Sequence, residues 1–464
     1  MDTRHPIQHS PDPVVLSVSF NQSRNRMICG LDDGVRVFRA NDCIRTLKEP
    51  PTLGRGYAIA TALDDRYIVL VGGGRNPNAS PNKLQFWDGH YGGLLKDLDF
   101  HEPILGVRMT DRHIAVILGE RTVYLHYHHD GEFDHHHPGS VSAIHDTASN
   151  PYALCCVQGD TTVLPGLTAG QVQIIGLADK TKKIIRAHAS ELRHMDLSSD
   201  GQTLATASKQ GTLIRVFSVA SLSQTHEFRR GVDAAIIYSL AISPRSHFIA
   251  CTSDKGTIHI FDLRLHPTEE LTKIAPVPQK RTSVARVVSQ SRRAGSVDFD
   301  TQSLPSQSSS PRPPSQAFYT PPADIVHAPP TNAPSALSAL AKLPGMPKAL
   351  SDVRSLTSAP YHLGSDPANW QGQPAFISTT LPNGQSCRVK NPNIPVPGLP
   401  DGKPPKGILC WDPESGDRKL WCVGGGADAR WEVFDLLETN EGRIKLAKGG
   451  YRSYLSRQFP EASE

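Results

Sequence analysis

One pattern recurs along this 464-residue chain and narrows its fold more than any other feature. A turn residue is followed by a short run of alternating apolar and polar positions, closed by an aromatic or apolar residue. It appears at Gly34–Phe38, Lys83–Asp88, Thr122–Leu125, Gly170–Ile174, Gly211–Phe217 and Gly256–Asp262, and a last time far downstream at Arg430–Asp435. Alternation of period two marks a half-buried strand. Recurrence of one strand type at about 40 to 45 residues is what propeller blades produce. Partner strands lie between the units, such as Tyr67–Val71, His113–Leu118 and His247–Cys251, while long amphipathic helical stretches are missing. A twisted four-stranded sheet cannot bury both of its faces alone, so radial packing supplies the core. The expectation is an all-β, seven-bladed β-propeller.

The interval from Phe261 to Trp431 breaks the rhythm and must hold an insertion in the sixth blade. Residues 267–334 are dominated by Ser, Pro, Gln, Thr and Arg, as in Ser306–Pro314, a composition that cannot offset its ordering entropy. Within the insertion, Ser335–Leu343 has apolar residues at spacings of three and four, which predicts a short amphipathic helix. A second Pro-rich loop, Pro392–Pro405, precedes the last blade. The expected division is a disordered N-terminus at 1–13, blades one to six (in part) at 14–265, a disordered Ser/Pro-rich insertion at 266–345, the rest of blade six and blade seven at 346–450, and a tail at 451–464.

Several function classes are set aside by composition. Lys and Arg number 49 against 45 acidic residues, and a net charge of +4 does not suit bulk nucleic-acid binding, so any basic function is local. Eight cysteines lie scattered with Cys155-Cys156 the only adjacent pair, which fits a reducing, cytosolic chain better than a disulfide framework. The segment Met1–Pro13 lacks the apolar core of a signal peptide. No apolar run approaches the roughly 18 to 20 residues of a membrane-spanning helix, so membrane contact would be peripheral. His126, His128, His129, His135, His136 and His137 sit in a loop with Gly131 and Pro138 and lack a repeatable ligand geometry, so no metal is expected. The triple glycines Gly72–Gly74 and Gly424–Gly426 lack the lysine and hydroxyl of a phosphate loop and are expected to form tight turns. No nucleophile, base and orienter stand out together, so neither an enzyme nor a cofactor is expected.

The most charged short motif of the repeat region is Phe228-Arg229-Arg230-Gly231. In an extended segment the two arginines point to opposite sides, so each can serve a separate pocket. Guanidinium matches phosphate oxygens bidentately, and Gly231 would permit a sharp turn. The plain alternative is a solvated link between blades. Nearby hydroxyls then belong to turns, and nearby histidines are structural.

This motif resembles the signature of the PROPPINs, phosphoinositide-binding WD-repeat propellers of autophagy. The flanking blocks Leu204–Phe217 and Ser253–Phe261 are similar to family blocks in the right order, as is Ala187-His188 upstream. Val71–Pro77, Pro81–Lys83 and Trp87-Asp88 resemble the branch of WIPI-three and WIPI-four type proteins. The resemblance spans about residues 14–265 and the last blade, with an unusually long insertion and only a loose match over 407–437. It implies two head-group pockets flanking the arginine pair. The first would use His188, Ser208, Thr212, Arg215 and Arg229; the second would use Arg230, Ser239, Ser253, Thr257 and His259. The implied ligand is phosphatidylinositol 3-phosphate or the 3,5-bisphosphate. The implied protein partner is a bridge-like autophagic lipid-transfer protein bound near the second and third blades. The implied setting is a cytoplasmic monomer, peripheral on phagophore, endosomal or vacuolar membranes, with the insertion helix either reaching beneath the head groups or serving as a transient partner motif. A generic WD-repeat scaffold without specific lipid binding is the competing expectation.

Overall fold

Each recurring strand falls at the same place, third in an antiparallel meander. The computed structural model describes residues 13–47, 53–74, 77–126, 141–264, 354–364, 376–380, 386–390, 404–426, 428–440 and 442–455. Blade one holds β1 (Val15–Phe20), β2 (Arg26–Leu31) and β3 (Gly34–Arg39), and blade two holds β4 (Tyr57–Ala62), β5 (Tyr67–Gly72), β6 (Lys83–Asp88) and β7 (Gly93–Asp99). Blade three holds β8 (Gly106–Met109), β9 (His113–Ile117), β10 (Arg121–His126) and β11 (Val141–Asp146). Blade four holds β12 (Cys156–Gln158), β13 (Thr161–Pro165), β14 (Gln171–Gly176) and β15 (Lys182–Arg186). Blade five holds β16 (Leu192–Leu197), β17 (Thr203–Ser208), β18 (Leu213–Ser218) and β19 (Gln224–Arg229). Blade six holds β20 (Ile237–Ile242), β21 (Phe248–Ser253), β22 (Thr257–Asp262) and β23 (Thr357–Pro360). After a separate hairpin, β24 (Phe376–Thr380) with β25 (Ser386–Lys390), blade seven closes the series with β26 (Ile408–Trp411), β27 (Lys419–Val423), β28 (Arg430–Glu438) and β29 (Ile444–Ser453).

The insertion thus joins the third and fourth strands of the sixth sheet, because β22 pairs directly with β23 from Thr257 opposite Pro360 to Ile260 opposite Thr357. Residues 265–353, the expected helix at 335–343 among them, and the histidine loop from 127 to 140 lie outside the described residues.

Burial explains why the sheets assemble. The apolar clusters of the described residues lie at the seams between neighbouring blades. Ile214, Val216 and Phe228 of blade five meet Ile249, Cys251 and Phe261 of blade six, for example. Equivalent clusters fill the seams between blades one and two, two and three, three and four, four and five, and six and seven. The seventh seam joins the two ends of the chain: Met27, Cys29 and Phe38 pack on Cys410, Trp421 and Trp431. There Val15 and Gly426 exchange backbone hydrogen bonds, both 3.1 Å, and the Tyr454 hydroxyl donates to the Gly424 carbonyl at 2.6 Å. The last strand continues to Ser453, beyond the blade end expected at 450, its final residues pairing with β28 up to Ser453 opposite Arg430.

The triple glycines are only partly turns. Gly74 and Gly426 have φ of +83° and +85°. Gly73 instead allows close approach, since a Cβ there would lie 2.2 Å from that of Ala58.

Candidate functional site

Blades five and six carry the same turn between their second and third strands. In each, a glycine amide donates to a serine carbonyl three residues back, Gly211 to Ser208 at 2.9 Å and Gly256 to Ser253 at 3.1 Å. Both glycines adopt left-handed φ, +62° and +70°, which other residues enter only at a cost. Beyond the turns, the ladder sets Arg215 opposite Thr206 and His259 opposite Cys251, equivalent positions of the two sheets. The blade-five turn is one residue longer, and Thr212 is the extra residue.

Around the seam of blades four and five, Arg215 donates from Nε to Glu227 Oε2 at 2.8 Å and from Nη1 to the Ala187 carbonyl at 2.7 Å. His188, next in the chain, lies 3.0 Å from Thr206 Oγ1 through Nε2. Burial, then the Arg215 charge, lowers the His188 imidazole to about 4, so it is neutral at physiological pH. Arg229 is paired with Leu213 on β19, two residues from Glu227, and strand alternation sets it on the same face as Arg215. Ser208 is buried at the end of β17, and the Thr212 carbonyl accepts the Arg230 amide at 2.9 Å.

The next residue turns the other way. Arg230 donates from Nε to the Gly211 carbonyl at 2.8 Å and from Nη2 to the Asp233 carbonyl at 2.6 Å, and its charge acts across the seam on His259. His259 is held by Thr257 Oγ1 at 3.0 Å and Ser355 Oγ at 3.2 Å. Burial, then Arg230, lowers its imidazole to about 4 as well. Each side of the arginine pair therefore has a guanidinium, a neutral imidazole and a hydroxyl close together, the donor set that a phosphomonoester accepts from.

Three of the expected residues have structural surroundings of their own. Ser239 stands on the inner strand β20, 3% exposed, and its hydroxyl accepts the Leu409 amide of blade seven at 3.2 Å, which braces that seam. Ser253 is fully buried, with its carbonyl bonded to the Tyr361 hydroxyl at 2.7 Å, and it shapes the turn. Gly231 has no positive φ and open space where a Cβ would stand, so the tight glycine of this region is Gly211, whose Cβ would lie 1.8 Å from the Ala235 carbonyl oxygen.

Thr206, Glu227 and Ser355 were missed. Glu227 was accessible to reasoning, because Phe228 is a core residue and period two then sets Glu227 and Arg229 together on the other face. Ser355 arrives from beyond the insertion and gives no local signal. Among the described residues no group of three or more His, Cys, Asp or Glu is placed to hold a metal ion, and no helix is long and apolar enough to cross a membrane.

Comparison with known proteins agrees with this architecture. A family model described as PROPPIN matches residues 15–277. SVP1-like protein 2 of Neurospora crassa is 31% identical over 472 aligned residues, covering 98% of this chain and 99% of that protein. Autophagy-related protein 18e of Arabidopsis thaliana is 34% identical over 259 residues, covering 54% and 67% respectively. Among solved structures, Hsv2 of Kluyveromyces lactis superposes with a TM-score of 0.58 at 15% identity, covering 95% of this chain and 99% of that one.

Proposed function

Because the chain belongs to the PROPPIN family of non-enzymatic β-propellers, we propose that it is a peripheral membrane effector that reads phosphatidylinositol 3-phosphate or the 3,5-bisphosphate and recruits autophagy machinery. One observation carries this reading: Arg229 and Arg230 are directed to two adjacent seams, and each seam already holds a neutral histidine beside a hydroxyl. A ring that only presented protein partners would have no need to duplicate that donor set. Site one is His188, Thr212, Arg215 and Arg229, framed by Ser208; site two is Arg230, Thr257 and His259, framed by Ser253.

Neutral histidines suit the role. A buried imidazolium beside a guanidinium would repel its neighbour in the empty site, whereas a neutral ring still offers one N–H to phosphate. Glu227 moderates site one by engaging Arg215. Two modest sites on one rigid rim gain avidity when both reach the same bilayer.

The finer assignments are parts of the same proposal. They comprise kinship with the WIPI-three and WIPI-four type branch, a bridge-like lipid-transfer partner near blades two and three, and action from the cytoplasm on phagophore, endosomal or vacuolar membranes. The test is co-sedimentation of the purified chain with vesicles that contain or lack phosphatidylinositol 3-phosphate, for wild type and the Arg229→Thr/Arg230→Thr double variant. Selective pelleting that disappears in the folded double variant supports the reading. Equal pelleting on both vesicles sinks it and favours a protein scaffold.

A further inference from the structure

Sites one and two lie at the seams on either side of blade five, so a bilayer that meets both faces the outer edge of that blade, with blades four and six flanking it. The two flanks differ in charge. On the blade-six side β23 reads Thr-Ser-Ala-Pro and carries none. On the blade-four side β15 reads Lys-Lys-Ile-Ile-Arg, with Lys180 shortly before it and no carboxylate within the strand. All four cations are exposed.

The register brings this strand up to site one. Arg186 lies opposite Gln171, the first residue of β14, as Arg229 lies opposite Leu213, the first residue of β18, so the two arginines occupy equivalent positions on neighbouring blades. Ala187 and His188 follow Arg186 directly. Alternation sets Lys182, Ile184 and Arg186 on one face, where the Lys182 charge acts on His145 of β11. Lys183 stands on the other face with Ile185, which packs in the seam of blades four and five that site one occupies.

The carboxylates of the adjoining chain are engaged elsewhere. Asp179 accepts the amide and hydroxyl of Thr181 at 3.0 and 2.9 Å, Glu191 pairs with Lys209 at 3.5 Å, and Glu227 with Arg215 at 2.8 Å. Lysines on an outer strand also guard its edge against another sheet. Yet β11 and β23 are outer strands without Lys or Arg, so edge protection does not account for the contrast between the flanks of blade five.

We propose that β15 is a further membrane contact, taking the anionic head groups of bulk lipids of the phosphatidylserine class through Lys182, Lys183 and Arg186. This rests on the lipid reading of sites one and two. An anionic leaflet attracts Lys and Arg over one Debye length, about 8 Å at physiological ionic strength, so the strand acts without a pocket. Ile184, 54% exposed among these cations, adds an apolar side chain of the kind a bilayer interface accepts.

Pelleting of the full chain tests it, with phosphatidylcholine vesicles that hold phosphatidylinositol 3-phosphate, about 30% phosphatidylserine, both or neither. The proteins are wild type, Lys182→Gln/Lys183→Gln/Arg186→Gln, and a control that loses the same charge on blades two, three and seven, Lys96→Gln/Arg112→Gln/Lys445→Gln. With phosphatidylinositol 3-phosphate alone, all three should bind within about twofold of each other. Added phosphatidylserine should tighten wild type and control about tenfold and the β15 variant less than about threefold, a difference that high salt removes. Phosphatidylserine without effect on the wild type, an equal gain in the β15 variant, or a control that loses as much would each overturn the inference and leave selective phosphoinositide binding standing. A wild type indifferent to phosphatidylinositol 3-phosphate in both backgrounds would instead sink the lipid reading, and this inference with it.

Discussion

Replacing Arg215 with Met separates the structural and electrostatic roles of site one. The substitution keeps most of the aliphatic stem and removes the ion pair to Glu227 and the bond to the Ala187 carbonyl. Side-chain exposures of 27% and 21% for Arg215 and Glu227 leave the pair substantially screened by solvent, so it contributes about 1 kcal/mol. The carbonyl bond adds about 1 kcal/mol. The expected cost is about 1–2 kcal/mol in denaturant unfolding, with the ring intact. The same change removes a positive charge from beside His188, whose imidazole is lowered from 6.5 to about 4 by burial first and Arg215 second. Since burial persists, NMR titration should show the His188 midpoint rising by less than half of that depression. Stability should follow. A depressed histidine leaves the unfolded state binding more protons, so the wild type loses stability as pH falls from 6.5 towards 4, and that loss should be shallower in Arg215→Met. A His188 midpoint that does not move would refute the placement of Arg215 against this ring.

Other consequences follow from single contacts. Gly211→Ala must take up φ of +62° and meet the Ala235 carbonyl, and a loss of about 1–3 kcal/mol with weakened lipid binding is expected by thermal melting and vesicle pelleting. Gly231→Ala, with open space and no left-handed φ, should stay within about 0.5 kcal/mol of wild type. Thr257→Val frees His259 Nε2 from its hydroxyl partner and should weaken vesicle binding through site two alone, leaving the melting temperature nearly unchanged. Trp411→Phe deletes the indole bond to the Ala241 carbonyl, 2.9 Å across the seam of blades six and seven; it should cost about 1–3 kcal/mol while leaving lipid affinity intact, as measured by melting and pelleting in parallel.

The ring was legible in the sequence because the third strand of each blade sends its apolar side chains into the seams, as Leu84 and Phe86 do on Lys83–Asp88 and Ile258 and Ile260 on Thr257–Asp262. Inner strands were harder to see. β12 is three residues of intermediate burial, Cys156–Gln158, and β16 mixes Arg193, His194 and Asp196 into its run, because one side of these strands faces a polar channel. At the candidate site, the similarity of Ser208–Phe217 to Ser253–Phe261 revealed the paired turns, yet it could not say which hydroxyls were already used. Ser239 illustrates the limit: its commitment to Leu409 depends on a strand 170 positions away in the chain.

The seam between Val15 and Gly426 also bears on how the protein is made. Among the described residues neither end of the chain contributes a strand to the other's sheet, so the described part of the first blade lacks its partner on one flank until the last blade has been synthesised. During that time Met27, Cys29 and Phe38 lack the tryptophans that will cover them. A growing arc with exposed apolar flanks is a natural client for chaperones, and synthesis that stalls within the long insertion would prolong that exposure.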